Sequence, residues 1–182
     1  MWYDCSMENN YDFVAIGEIA VDAFIRLRDA EELTNHGTLE LCVRFGDKIP
    51  YESVTEVPAV ANAGNASVSA ARLGLRSALV ANMGKDRNGE LCLDSLKKDG
   101  VSTEFIGIQK DKDTNYHYVL WFEHERTILQ KHSDFLYKLP DIGDPKWIYL
   151  TSLGEKSLPY HAEIAEYLKN HPDVKLTTQK NY

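Results

Sequence analysis

Cysteine is scarce in this chain: three among 182 residues, at Cys5, Cys42 and Cys92, all far apart. An odd, scattered set supports neither a disulfide framework nor a zinc cluster, and thiols in a reducing cytoplasm are the plain reading. Positive charge is also short. Twenty Lys and Arg stand against 28 Asp and Glu, a net charge of −8. No basic face is visible for nucleic acid or for an anionic membrane surface. No apolar run approaches the ~18 residues that cross a bilayer. Met1 to Asn10 have no basic start and no apolar stretch, so they do not read as a secretion signal. Repeats and low-complexity tracts are absent too. The expectation is a cytoplasmic protein that binds neither nucleic acid nor membrane. Its 43% hydrophobic content is enough to bury the core of one domain.

What is present follows two alternating rhythms. Phe13 to Ile16, closed by Gly17, reads as a short strand buried on both faces, the habit of a parallel sheet under helices. A polar, partly helical stretch is expected from there to Gly37. Leu39, Leu41, Val43 and Phe45 then alternate with polar or small residues, the period of a half-exposed strand. Pro50 and Pro58 bracket a connection. Asn62 to Gly74 reads as a helix with a face of Ala63, Ala66, Ala70 and Leu73, stopped by Gly74. Ser77 to Met83 reads as a buried strand, and Asn88 to Lys98 as a second helix ended by Gly100.

Period-two strands return at 104–108, 116–122 and 127–131, and the α/β order resumes with Trp147 to Thr151, Pro159 to Asn170 and Val174 to Thr177. The reading is an α/β layer with parallel strands and right-handed crossovers. Strand insertions at about 38–57 and 104–132 pair over it as a small antiparallel sheet.

Ligands of open α/β sheets sit beyond the carboxyl ends of the strands. Asp22 follows the first strand, and Asn62 and Asn65 open a helix aimed at the same edge. A carboxylate accepts from two hydroxyls, and an amide both donates and accepts. That mixture suits an uncharged polyol, although Asn62 is also an ordinary helix cap and Asp22 an ordinary turn residue. His117, His124 and His132 match no common metal spacing and read as sheet-surface residues. The stretch Leu153 to Ser157 has a Gly-Glu-Lys-Ser order without the first glycine of a phosphate loop.

In order along the chain stand Gly17-Glu18 with Asp22; Asn62-Ala63-Gly64-Asn65-Ala66-Ser67; Ala71-Arg72-Leu73-Gly74; Gly84, Asp86 and Gly89; Asp99-Gly100-Val101; and Glu125-Arg126-Thr127. This series strongly resembles the N-terminal half of the ribokinase-like (PfkB) carbohydrate kinases. The resemblance implies a Rossmann-like, ribokinase-type layered fold with a β-sheet lid, and phosphorylation of a sugar or nucleoside hydroxyl from ATP. By it, residues 12–182 form the N-terminal part of the kinase domain, preceded by an extension at 1–11. Asp22, Asn62 and Asn65 bind the substrate. ATP and Mg2+ serve the complete enzyme, and the lid is a surface for a homodimer.

Val60 and Ala61 stand where the family usually has Gly-Gly. The family's aspartate base and anion hole lie past the matching residues. No residue here is therefore assigned a catalytic, metal-binding or nucleotide-binding role, and the chain is expected to be inactive alone. The alternative is a truncated, non-catalytic paralogue that binds a polyol or dimerises.

Overall fold

The computed structural model describes residues 11–179. The expected extension at 1–11 and Cys5 therefore lie outside the described residues, apart from Tyr11. Phe13–Ile16 forms β1, Ala20–Leu27 β2, Glu31–Asn35 β3, Thr38–Cys42 β4 and Tyr51–Val60 β5. Helix α1 spans Asn62–Arg72, β6 Ser77–Gly84 and α2 Arg87–Lys98. Then come β7 at Ile106–Gln109, β8 at Asn115–Phe122, β9 at Glu125–Leu129 and β10 at Trp147–Leu150. The last elements are α3 at Leu158–Asn170 and β11 at Lys175–Thr178.

The main sheet runs β11-β10-β1-β6-β7, every pair parallel. Side chains of a strand alternate between faces, and here the two faces feed two cores. Ala15, Leu79, Ala81 and Met83 pack with Ala63 of α1 and Cys92 and Leu96 of α2. Val14, Ile16, Ala78, Val80 and Ile148 pack with Tyr160 and Ile164 of α3. The chain moves outward from β1 through β6 to β7 with helices on one face. It then returns to β10 and moves outward on the other side with α3 on the opposite face. The direction reverses between β1 and β10, which is a topological switch point of a doubly wound sheet.

A second sheet, ordered β5-β2-β8-β9, carries one parallel pair, β2 with β8, between two antiparallel ones. Three sequence expectations change here. Ala20 to Leu27 is a central strand of this sheet, where a polar, partly helical stretch was expected. Its burial of Ala20, Val21 and Ala23 beside half-buried Asp22 and Phe24 is satisfied only by partners far away in sequence. Tyr51 to Val60 is also a strand, although it contains Pro58. It is an edge strand, and its register shifts between Ala20↔Val60 and Asp22↔Val57, so Pro58 falls in a bulge where no ladder donor is needed. The strand expected at 104–108 pairs parallel with β6 and belongs to the main sheet.

The expected strand at Leu39 pairs only with β3, as a separate antiparallel hairpin. Its two-residue turn has positive φ at both His36 (48°) and Gly37 (83°), the pattern of a type I′ turn.

Helix α1 buries Ala63, Gly64, Ser67 and Ala70; Leu73 is its C-cap and is exposed, contrary to the expected inward face. The small face is needed. A Cβ on Gly64 would stand 2.5 Å from the Ala59 carbonyl oxygen, and one on Gly17 2.1 Å from Thr151 Oγ1 and 2.9 Å from Ala63 Cβ. The ends of β1, β5 and β10 and the start of α1 thus converge at backbone contact distance. Cys92 packs in the adjoining core, where its Sγ accepts from the Ala59 N–H at 3.3 Å. Burial pushes its thiol up to about 11, so it is a neutral packing residue. Among the described residues no helix is long and apolar enough to cross a membrane.

Candidate functional site

At the switch point lies a cleft of about 910 Å³ between the main sheet and the second sheet. Glu18 follows β1, Thr151 to Gly154 follow β10, and Asn62 and Asn65 stand in the first turn of α1; all line it. Asp22 and Phe24 of β2, with His117 and Val119 of β8, form its roof. Those residues face each other across the parallel pair, Asp22↔His117 and Phe24↔Val119, so one face of the second sheet is the cleft wall. The irregular segment after β9 closes the side through His132, Asp134 and Tyr137.

The three residues singled out in the sequence therefore meet. Asp22 is a strand residue rather than a turn residue, and its side chain is 18% exposed. Its Oδ1 lies 3.1 Å from His117 Nδ1. Asn62 and Asn65 are exposed into the cleft. The cap position of α1 is Ala61 and offers no side-chain acceptor. Its carbonyl takes the Asn65 N–H at 2.9 Å. The earlier N–H groups of the helix face a space already lined with amides, and a helix start favours electron-rich oxygen there.

Two histidines read as sheet-surface residues belong to the site instead. His117 is 7% exposed, because its strand turns this face onto the cleft. His132 Nδ1 lies 3.1 Å from Glu18 Oε2, and the two imidazole centroids are 5.4 Å apart. Burial pushes the Glu18 carboxyl above its ordinary value, against the pull of His132 and His117. The placement of His132 depends on Ser133, whose N–H donates to the buried Asn115 Oδ1 at 2.8 Å and whose hydroxyl donates to the Asp113 carbonyl at 2.7 Å. The period-two position of His117 was the only sequence signal for this cluster. His124 lies in the exposed turn between β8 and β9.

The stretch from Leu153 forms a short turn of 3-10 helix at Glu155–Ser157. Lys156 pairs with Asp134, so the one cation of that loop is occupied. Among the described residues no group of three His, Cys, Asp or Glu side chains is disposed to hold a metal ion.

A doubly wound α/β layer whose switch-point cleft is roofed by a mixed sheet and edged with carboxylate and amide groups is an arrangement of the ribokinase-type fold. Solved structures share it. Arabidopsis thaliana ribokinase, complexed with ribose and ATP, matches with a TM-score of 0.72 at 14% identity, covering 93% of this chain and 53% of that one. Halothermothrix orenii fructokinase matches with a TM-score of 0.66 at 22% identity, covering 90% and 55%. A ribokinase from Cryptococcus neoformans in complex with ADP gives 0.64 at 19%, covering 91% and 48%. The chain thus spans about half the length of the structures it matches. No curated protein matches its sequence. The model of the pfkB family carbohydrate kinases matches residues 62–171, and the chain belongs to that family.

Proposed function

We propose that this chain is the acceptor-binding half of a kinase that transfers the γ-phosphate of ATP to a hydroxyl of a sugar or nucleoside. The observation that carries the reading is the convergence of Asp22, Asn62 and Asn65 on one cleft at the switch point. Asp22 accepts from hydroxyls, the two asparagines donate and accept, and Phe24 and Val119 supply an apolar wall for the carbon skeleton. The second sheet roofs the acceptor and keeps water, a competing phosphate acceptor, away from it. Phosphoryl transfer also needs cationic or N–H groups on the phosphates and a base on the hydroxyl. The described cleft offers Arg126 and the already paired Lys156. ATP and Mg2+ therefore belong to the complete family enzyme, and the 182-residue chain alone does not turn over ATP. The second sheet, with exposed Val54, Tyr118 and Leu129, is also the face on which a second copy docks.

Calorimetry with D-ribose, D-fructose and adenosine tests the reading. Binding that weakens roughly 10- to 100-fold in Asp22→Ala, the loss of hydrogen bonds to a charged acceptor, supports it. No binding by the unaltered chain overturns it. Sugar-dependent ADP release by the purified chain overturns the claim of inactivity.

A further inference from the structure

His117 reaches the cleft from the wall that carries Asp22, Phe24 and Val119. Its Nδ1, the ring nitrogen nearer the backbone, faces Asp22 Oδ1 at 3.1 Å. A carboxylate only accepts hydrogen bonds, so Nδ1 carries the proton in the neutral ring and Nε2 holds a lone pair. Nε2 is the ring nitrogen farther from the backbone, on a residue that lines the cleft. Among the described residues it is the buried side-chain nitrogen or oxygen with no hydrogen-bond partner. Buried polar atoms are nearly always paired, and one left unpaired at a cleft marks a place where a partner is meant to arrive. Its flank is a partly exposed ring: the His132 imidazole lies 5.4 Å away, tilted by 60°, and the His132 side chain is 40% exposed beside Glu18.

We infer that His117 Nε2 is a hydroxyl-accepting point of the acceptor site and sets which hydroxyl pattern the cleft takes. This rests on the polyol reading above. Asp22 and His117 Nε2 are neighbouring acceptors, so the ligand presents two hydroxyls that both donate, as an unphosphorylated vicinal diol does. A phosphate ester at either position has no proton to give and brings negative charge against Asp22. Asn62 and Asn65 serve the remaining oxygens from the opposite wall. Asp22 therefore has two roles, binding one hydroxyl and fixing the tautomer with which His117 binds the next.

The test uses the 182-residue chain, D-ribose and the deoxyriboses that each lack one hydroxyl. In ring-nitrogen NMR the free chain shows His117 protonated at Nδ1 and bare at Nε2, and D-ribose shifts the Nε2 resonance. His117→Asn keeps a donor for Asp22 and removes the Nε2 acceptor; it weakens ribose about tenfold, the value of one hydrogen bond. His117→Gln, whose amide oxygen reaches the Nε2 position, recovers part of that loss, which a merely structural role would not show. One deoxyribose binds the unaltered chain as weakly as ribose binds His117→Asn, and loses nothing further in that variant. Ribose binding that is equal in all three proteins, or an Nδ1-bare tautomer, overturns the inference and leaves the proposed function standing. Failure of the unaltered chain to bind ribose, fructose and adenosine overturns both.

Discussion

Ala61 sits at φ 76° and ψ 168°, a region of backbone space that is essentially reserved for glycine because a Cβ crowds the neighbouring carbonyl. Ala59, two residues earlier, also has positive φ, 61°. The pair follows Pro58 and turns the chain from β5 into α1, where Asn62 lines the cleft. Strain of this kind persists where the surroundings over-determine it, and here the Ala59 carbonyl is pinned against Gly64. Ala61→Gly relieves the strain but makes the unfolded chain freer. The net expectation is a stabilisation of about 1 kcal/mol, or roughly 2–4 °C in Tm for a chain of this size. A thermal melt checks it, and an unchanged or lower Tm shows that the turn is held without strain. The sequence showed Val60-Ala61 in place of Gly-Gly, yet an alanine in a glycine conformation is not legible from residue type. The register of β5 on β2 forces it.

Among the elements, α2 shows most clearly how one side chain ties distant pieces together. Asp86 caps the helix by accepting the Gly89 N–H at 2.8 Å. It also takes the Thr114 N–H at 2.8 Å and the Thr114 hydroxyl at 2.6 Å. Thr114 Oγ1 in turn accepts the Gly84 N–H at 3.1 Å. The end of β6, the start of α2 and the entry to β8 are thereby joined, and β8 carries His117. Partial burial raises the Asp86 carboxyl, but the Thr114 and Gly89 hydrogen bonds outweigh it and hold the group below its ordinary value.

Asp86→Ala loses a cap and leaves the buried Thr114 N–H unpaired, a cost of about 2–4 kcal/mol. A carboxyl lowered on folding stabilises above its unfolded value, and that contribution fades as pH falls from the ordinary carboxylate range through the lower folded value. Denaturant melts across that acid range are therefore flatter in Asp86→Ala than in the unaltered chain; parallel curves count against the tie. The helices themselves were legible, because their periodicity and glycine stops are local. Strands β2 and β5 were not, since their pairing partners lie far off in sequence and Pro58 resembles a breaker until its edge bulge is seen.

For the whole molecule, the second sheet covers the cleft with one face and presents apolar groups elsewhere. Val54 on β5 and Leu129 on β9 are about half exposed, as is Tyr118 on β8. All five residues of β9 are exposed, and it is an edge strand. Unpaired edges beside apolar side chains favour association with another chain. The expected state is a dimer through this sheet, read by sedimentation at micromolar concentration, with Leu129→Lys shifted toward monomer. A monomeric unaltered chain sinks the expectation.

The sequence by itself determined the α/β order and the small-faced helix that opens with the asparagines. These are properties of local period, of stop residues and of side-chain chemistry. Only the tertiary structure decided that Asp22 lies beside His117 and Glu18 beside His132. Those pairs arise where strands more than ninety residues apart run side by side and where two loops close over one switch point. No local pattern encodes that meeting, because the packing of both sheets on a shared core creates it.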